Sequence, residues 1–418
     1  MKNARRDLLR QVAARVAGIP SVTPLSLGPT VIEANSTNGV APAVLQNASN
    51  KTLVVIQLMG GNDGLNTVVP YGQKEYLQNR PTIGLQQNEI LPIDGNIALN
   101  SQMSAMMALY KSNRVGIIQG VSYPNPNLSH FQATAIWESA APSMPFSNGW
   151  LGRYMDVSNQ LGEQATAVNL QDLVPQALLG VTAQPLSFSS VQRFKVAPLT
   201  KNDNQTQTVI QQLNETACSA CGEYNTLVNQ MMQSGLDAMS ASAVIQAAAN
   251  SYTPQVTYPQ NDFANRLKLA AGIIVSSINP KIVYVTLGGF DTHGNQKAAQ
   301  NALLKQLSDG VSAFYNDLAA QGRANNTLMM TFSEFGRRVK ENGSRGTDHG
   351  TALPQFMIGG SISPGLYGTY PSLSSLDSSG NLVGNIDFRQ TYATVLEDWF
   401  GIKQTEVLDS TYTKLTIV

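Results

Sequence analysis

Three short runs constrain this chain more than anything else in it. Thr52–Met59 (TLVVIQLM), Lys281–Leu287 (KIVYVTL) and Thr327–Phe332 (TLMMTF) are β-branched and almost unbroken in apolar character. A strand with one wet face alternates apolar and polar residues. A strand that is apolar throughout is buried on both faces, which is the pattern of a parallel sheet. Arg114–Gln119 and Gln355–Ile358 read as further short strands. Between them the apolar period changes to that of helices: Asn96–Tyr110, Ser129–Ser139, a segment from Asn261 through Ile274, Asn301–Leu318 and Phe388–Phe400. Asp262 stands near the start of the third of these, and Ser129 is placed to cap the second. Strand and helix in alternation imply a mostly parallel α/β sheet covered by helices on both sides. In such sheets ligands bind just past the carboxyl ends of the strands.

Composition narrows the function. Lys plus Arg and Asp plus Glu are 27 each, and charged residues make up only 13%. A neutral chain has no electrostatic grip on a nucleic-acid backbone, which excludes nucleic acid as partner. No stretch reaches 18 consecutive apolar residues, so no permanent membrane span is expected. The amino end has another character. Lys2, Arg5, Arg6, Arg10 and Arg15 precede a weakly apolar stretch broken by Gly18 and Pro20. Arg5-Arg6-Asp7-Leu8-Leu9-Arg10 resembles a twin-arginine export signal, with Ala4 where Ser or Thr is usual. The alternative is a basic amphipathic helix. Ala34-Asn35-Ser36 and Ala41-Pro42-Ala43 both offer small residues for cleavage. The expected organisation is a signal over 1–34, a loose mature amino end over 35–50, and an α/β domain in two parts, 51–160 and 259–402. A Gln-, Asn- and Ala-rich insertion or cap covers 161–258, and a tail 403–418. The insertion is expected to carry short strands near Leu178–Phe188 and helices near Thr206–Gln246. Cys218 and Cys221 lie in it and, after export, can close a small local disulfide.

The unusual polar residues fall after the strands. Gly60-Gly61-Asn62-Asp63-Gly64 follows the first, with Asp63 placed either as a metal ligand or as the cap of its own turn. Asp291-Thr292-His293 follows the second. Two side chains two apart in extended chain share a side and can converge on one ion; a hydrogen-bonded turn is the alternative. Ser333-Glu334-Phe335-Gly336-Arg337 follows the third, with Glu334 free to bind metal, to pair with Arg337, or to favour a helix start. Thr347-Asp348-His349-Gly350 sets an acid beside a histidine. Ser129 and His130 open a helix whose free N–H groups favour an anion; Ser129 is either a nucleophile or a plain cap. These strings hold all three histidines of the chain. Together they point to a metal-centred site, in which two ions about 4 Å apart would polarise a phosphoryl or sulfuryl oxygen.

GGNDGLNTVVPYG (60–72), SHFQATAIWES (129–139), FDTHGNQ (290–296), TFSEFGRRVKENGSRGTDHG (331–350) and FRQTYATVLEDWFG (388–401) resemble the bacterial family DUF1501 over roughly residues 50 to 402. That family is similar to the alkaline phosphatase and sulfatase superfamily, a doubly wound α/β fold with a two-metal phosphatase site or a single-metal sulfatase site. The resemblance implies a divalent-metal set of Asp63, Asp291, His293, Glu334, Asp348 and His349, with Ser129, His130 and Arg337 as catalytic groups. It implies a periplasmic or extracellular protein delivered by the twin-arginine machinery. There are departures. The spacing is Asp-x-His rather than Asp-x-x-x-His, and Phe335 stands where the superfamily has His. Fewer histidines favour an oxygen-rich site for calcium, magnesium or manganese beside zinc. Three functions follow: a hydrolase of phosphate or sulfate esters, with Arg337, Arg338, Lys340 and Arg345 as cationic partners of the ester; a non-catalytic metal-containing binding or cell-surface protein, which a glycan would suit; and a structural exported protein.

Overall fold

A computed structural model describes residues 50–161, 165–171, 173–183, 185–188 and 251–418. The signal over 1–34, the helices expected over 206–246 and both cysteines lie outside the described residues. Twelve strands are described: β1 Thr52–Met59, β2 Val68–Val69, β3 Ile90–Pro92, β4 Ala98–Asn100, β5 Val115–Ser122, β6 Ala167–Asn169, β7 Leu186–Ser187, β8 Ile282–Gly288, β9 Thr327–Phe332, β10 Leu353–Gly359, β11 Gly365–Tyr367 and β12 Ile386–Asp387. The α-helices are α1 Glu75–Asn79, α2 Ser104–Lys111, α3 His130–Ser139, α4 Trp150–Gln160, α5 Asp262–Val275, α6 Gln296–Ala320 and α7 Phe388–Thr394.

The main sheet runs β11-β5-β10-β9-β1-β8-β6-β7, with β12 beside β5. β1 sits at its centre, parallel to both β8 and β9. Alternate side chains of β1 enter two cores. Val54, Ile56 and Leu58 pack with α2, α5 and α6, while Leu53 and Val55 pack with α3, α4 and α7. This is why the run is apolar on both faces: Leu53 to Ile56 and Leu58 each find a helix layer, at about 1.5–3 kcal/mol per buried aliphatic side chain. The expected mostly parallel sheet with helices on both faces is therefore present. β10 is the exception, antiparallel to both β9 and β5.

Three segments differ from the sequence expectation. The helix expected from Asn96 starts only at Ser104, because Ala98–Asn100 pair with β2 and β3 in a small second sheet. The helix expected over Phe388–Phe400 gives way to a π-helical turn at Val395–Trp399. Among its described residues the Leu178–Phe188 region carries strand only at Leu186–Ser187, and Gln176–Leu178 form a 3-10 turn.

The register places the site. Met59 lies beside Gly288, and Gln57 beside Phe332, so β1, β8 and β9 end on one edge of the sheet. The loops that follow clasp one another there. Ser333 Oγ donates to Leu58 O at 2.6 Å and accepts from Asn62 N at 2.9 Å. Gly60 turns with φ of 119°, and a Cβ there would stand 2.4 Å from the nitrogen of Asp291. Only glycine lets the first loop lie this close to the second.

Candidate metal centre

All three histidines reach one carboxylate oxygen. Oδ1 of Asp291 lies 3.5 Å from His130 Nε2, 3.0 Å from His293 Nε2 and 3.3 Å from His349 Nε2. His293 Nε2 and His349 Nε2 are 3.0 Å apart. The other ring nitrogens fix the tautomers. His130 Nδ1 is 2.8 Å from Glu334 Oε1, and His349 Nδ1 is 2.8 Å from Leu128 O. A carboxylate and a carbonyl only accept, so both Nδ1 atoms donate, and each ring turns its Nε2 inward. His293 Nδ1 faces Asp348 Oδ1 at 3.6 Å. His130 Nε2 is buried with no hydrogen-bond partner. Phe335, itself buried, packs against two of the rings, its centroid 4.8 Å from His130 and 4.4 Å from His349. The apolar residue where the superfamily pattern has a histidine thus holds imidazoles in place.

Nitrogen and oxygen atoms at such separations either share protons or hold a cation among them. Tetrahedral zinc–nitrogen bonds of about 2.0–2.1 Å set ligand atoms about 3.3 Å apart; the three separations from Asp291 Oδ1 and the one between His293 and His349 run from 3.0 to 3.5 Å. His130, Asp291 and His349 offer atoms that all lie within 4.8 Å of one another. The donor set fits a divalent ion. It is nitrogen-rich, not the oxygen-rich set that the low histidine count favours.

The remaining expected residues stand elsewhere. Asp63 is fully buried, and both its oxygens face Arg80, at 2.5 and 2.9 Å. Gln296 Nε2 donates to the same carboxylate, and Leu65 N donates at 3.2 Å. Its lone pairs are spent on protein donors, so the geometry makes Asp63 an internal anchor instead of a ligand. Arg80, seventeen positions on in the chain, carries no local sequence signal for this pairing. Glu334 is buried and accepts from Gly60 N at 2.9 Å as well as from His130. It lies behind a histidine, the place of an orienting carboxylate. Asp348 accepts from Asn342 Nδ2 at 3.1 Å, and that hydrogen bond leads in holding its carboxyl below the ordinary value.

Arg337 pairs not with Glu334 but with Asp291, at 2.7 Å. Its guanidinium has no exposed surface and also donates to the carbonyls of Gly60, Gly61, Phe290 and Thr347. Burial alone would raise the Asp291 carboxyl, but Arg337, His349 and His293 hold it down at about 2. Burial, followed by the charge of Arg337, lowers His349 below the usual imidazole range. Ser129 is exposed at the amino end of α3, and its side chain makes no capping hydrogen bond. The strand-to-helix loop that carries it also lines, at Tyr123–Pro126 with Thr351, a cavity of about 580 Å³.

The family model that matches is "Protein of unknown function (DUF1501)", over residues 116–410. No curated protein matches the chain. Among solved structures it is similar to the lipoteichoic acid synthase LtaP from Listeria monocytogenes, at 10% identity and a TM-score of 0.42, over 90% of this chain and 78% of that one. A protein in the alkaline phosphatase superfamily from Vibrio parahaemolyticus is similar at 7% identity and a TM-score of 0.35, over 90% and 73%. The C-terminal periplasmic domain of EcEptC from Escherichia coli, in complex with Zn, is similar at 10% identity and a TM-score of 0.34, over 75% and 74%.

Proposed function

The chain belongs to the DUF1501 family, and on that footing we propose that it is an exported, metal-dependent hydrolase of phosphate or sulfate esters. One observation carries the reading: every histidine of the chain turns a ring nitrogen toward a single oxygen of Asp291. His130, Asp291 and His349 would hold the ion, with His293 beside them and zinc the best match to this nitrogen-rich set. When bound, such an ion supplies Lewis-acid polarisation of an ester oxygen.

The protein's own groups do the rest. Glu334 and the Leu128 carbonyl hold the proton on Nδ1 of His130 and His349 and so keep both rings aimed. Arg337, buried and with its N–H groups given to the loop carbonyls, fixes the Asp291 carboxylate in place. Ser129, one residue before His130, has a free hydroxyl in solvent reach. It attacks the phosphorus or sulfur, and its proton passes to water. The ester C–O oxygen leaves as the alcohol, and water then releases the acid from Ser129. The α3 N–H groups face the developing negative charge. If Ser129 is only a cap, water makes the attack directly.

The test uses purified mature protein. Asp291→Asn and His349→Ala should lower metal content and esterase activity together. Ser129→Ala should keep the metal and lose the activity. A wild type without divalent ion, matched in stability by both variants with and without chelator, makes these residues a hydrogen-bonded structural network and ends the metallohydrolase reading.

A further inference from the structure

We propose that the cavity beside the β5–α3 loop is a binding site for a neutral saccharide. The proposal goes beyond the ester reading and holds whether or not the histidine cluster hydrolyses anything. At about 580 Å³ the cavity has the size of a small-ligand site. Its walls are residues 122–126, residues 377–378 and 382–387, and Thr351.

These walls are fixed from within the protein. Thr351 Oγ1 donates to Leu382 O. Asn385 N donates to Gly120 O at 2.9 Å, and its Nδ2 donates to Thr369 O at 2.6 Å. Asn125 turns with φ of 53° between two prolines, whose rings lock their own backbone. A Cβ on Gly384 would stand 2.4 Å from Cβ of Ser122, so glycine lets the second wall close on the first.

The lining chemistry selects the guest. No lysine or arginine is among the lining residues, so an anion finds no cationic partner. The two carboxylates are already spent. Asp377 Oδ1 accepts from Ser379 N and Asn381 N, both at 2.8 Å, and Oδ2 accepts from Asn381 Nδ2 at 3.1 Å. Both oxygens of Asp387 meet the Arg389 guanidinium, at 2.9 and 2.7 Å. An ammonium group therefore has no free carboxylate to join. The side chains of Ser122, Asn125 and Ser378 make no hydrogen bond to any described residue. A wholly apolar guest would strip water from these two hydroxyls and one amide and return nothing. The apolar parts of the wall are Leu382, Ile386 and the half-exposed Val383. β12, the strand in this wall, is two residues long and already pairs with β5, too short to take a peptide strand by backbone pairing. What remains is an uncharged molecule with hydroxyls along its edges and C–H groups on its faces, which describes a sugar ring.

The test titrates the purified mature protein, by calorimetry and saturation-transfer NMR, with glucose, galactose, mannose, N-acetylglucosamine, maltotriose and chitotriose. Glucose 6-sulfate and triglycine serve as the charged and the peptide probe. At least one neutral saccharide should bind with a Kd of about 1 mM or tighter, equally with zinc and with chelator. Asn125→Gly keeps the left-handed turn and removes the amide, and should weaken that binding about fivefold or more. Val383→Trp, at the exposed rim, should fill the cavity and abolish it. Both variants should keep the wild-type midpoint in urea unfolding. No binding by any neutral saccharide overturns the proposal, and so does tighter binding of glucose 6-sulfate or triglycine. Binding that both variants leave unchanged puts the saccharide elsewhere, and binding lost with chelator makes it a ligand of the histidine cluster; either result also overturns the proposal.

Discussion

Asp63 and Arg80 face each other with no solvent on either side. Removing one partner of such a pair leaves the other charged, buried and unpaired, which costs about 3–5 kcal/mol. Arg80→Met should therefore destabilise the chain by that order in urea unfolding and leave zinc content unchanged. Asp63→Leu combined with Arg80→Met should cost clearly less than the two single changes added, because the double variant leaves no orphan charge. A loss of zinc without a loss of stability in Asp63→Asn would instead return Asp63 to the ligands. The contrast between Asp63 and Asp291 shows what a string of residues conveys. Both carboxylates follow a buried strand and a glycine pair, and both read as candidate ligands. They differ in that Arg80 faces both oxygens of Asp63 and Gln296 adds to them, whereas Arg337 meets Asp291 at Oδ1, and no local pattern ties Arg80 or Gln296 to Asp63. His130 is the converse. Its place beside Ser129 marks it as a site residue, but only the fold brings Glu334 to its Nδ1 and Asp291 to its Nε2.

Elements were legible where burial dictated composition. β1, β8 and β9 are apolar on both faces because helices cover both faces, and the runs announce it. The direction of β10 was not legible. Leu353–Gly359 is as buried as its neighbours, and an apolar run carries no sign of whether its partners run alongside or against it. Helix α3 links the site to the core: His130 opens it and Glu138 lies at its far end. Glu138 is almost wholly buried, within 3.2 Å of the Tyr284 hydroxyl, and burial pushes its carboxyl up to about 7. An acid whose folded pKa is raised stays protonated in the fold while the unfolded chain ionises. Its cost is absent below the unfolded value of about 4.5, grows as pH rises toward 7, and is constant above that. Glu138→Gln keeps the polar shape and removes the titration. The variant should match wild type in chemical denaturation at pH 4 and become more stable than it by pH 8, by at most about 3 kcal/mol. A gap that does not change between those pH values would show that Glu138 is not held neutral.

At the scale of the whole molecule, the site exists only when distant parts of the chain have met. His349 is held by the carbonyl of Leu128, 221 residues earlier, and β1 must pair with both β8 and β9 before the loops at their ends can close on one another. Contacts of such sequence separation form late and slowly, because loop closure costs entropy before burial repays it. A chain threaded unfolded across a membrane would have to assemble this cluster on the far side. A route that carries folded cargo would let it assemble inside, with folding ahead of export. The paired Arg5-Arg6 ahead of a weakly apolar stretch fits that route, and no helix among the described residues is long and apolar enough to cross a membrane. Replacing Arg5 and Arg6 together with lysine preserves the charge and the helix propensity of the amino end but removes the twin arginines. Fractionation of cells making that variant should find the full-length precursor retained inside, folded and able to bind zinc, while the wild type is found outside the cytoplasm. Export of the double-lysine variant at the wild-type level would mean that the arginines act only as positive charge, and the twin-arginine route would have to be given up.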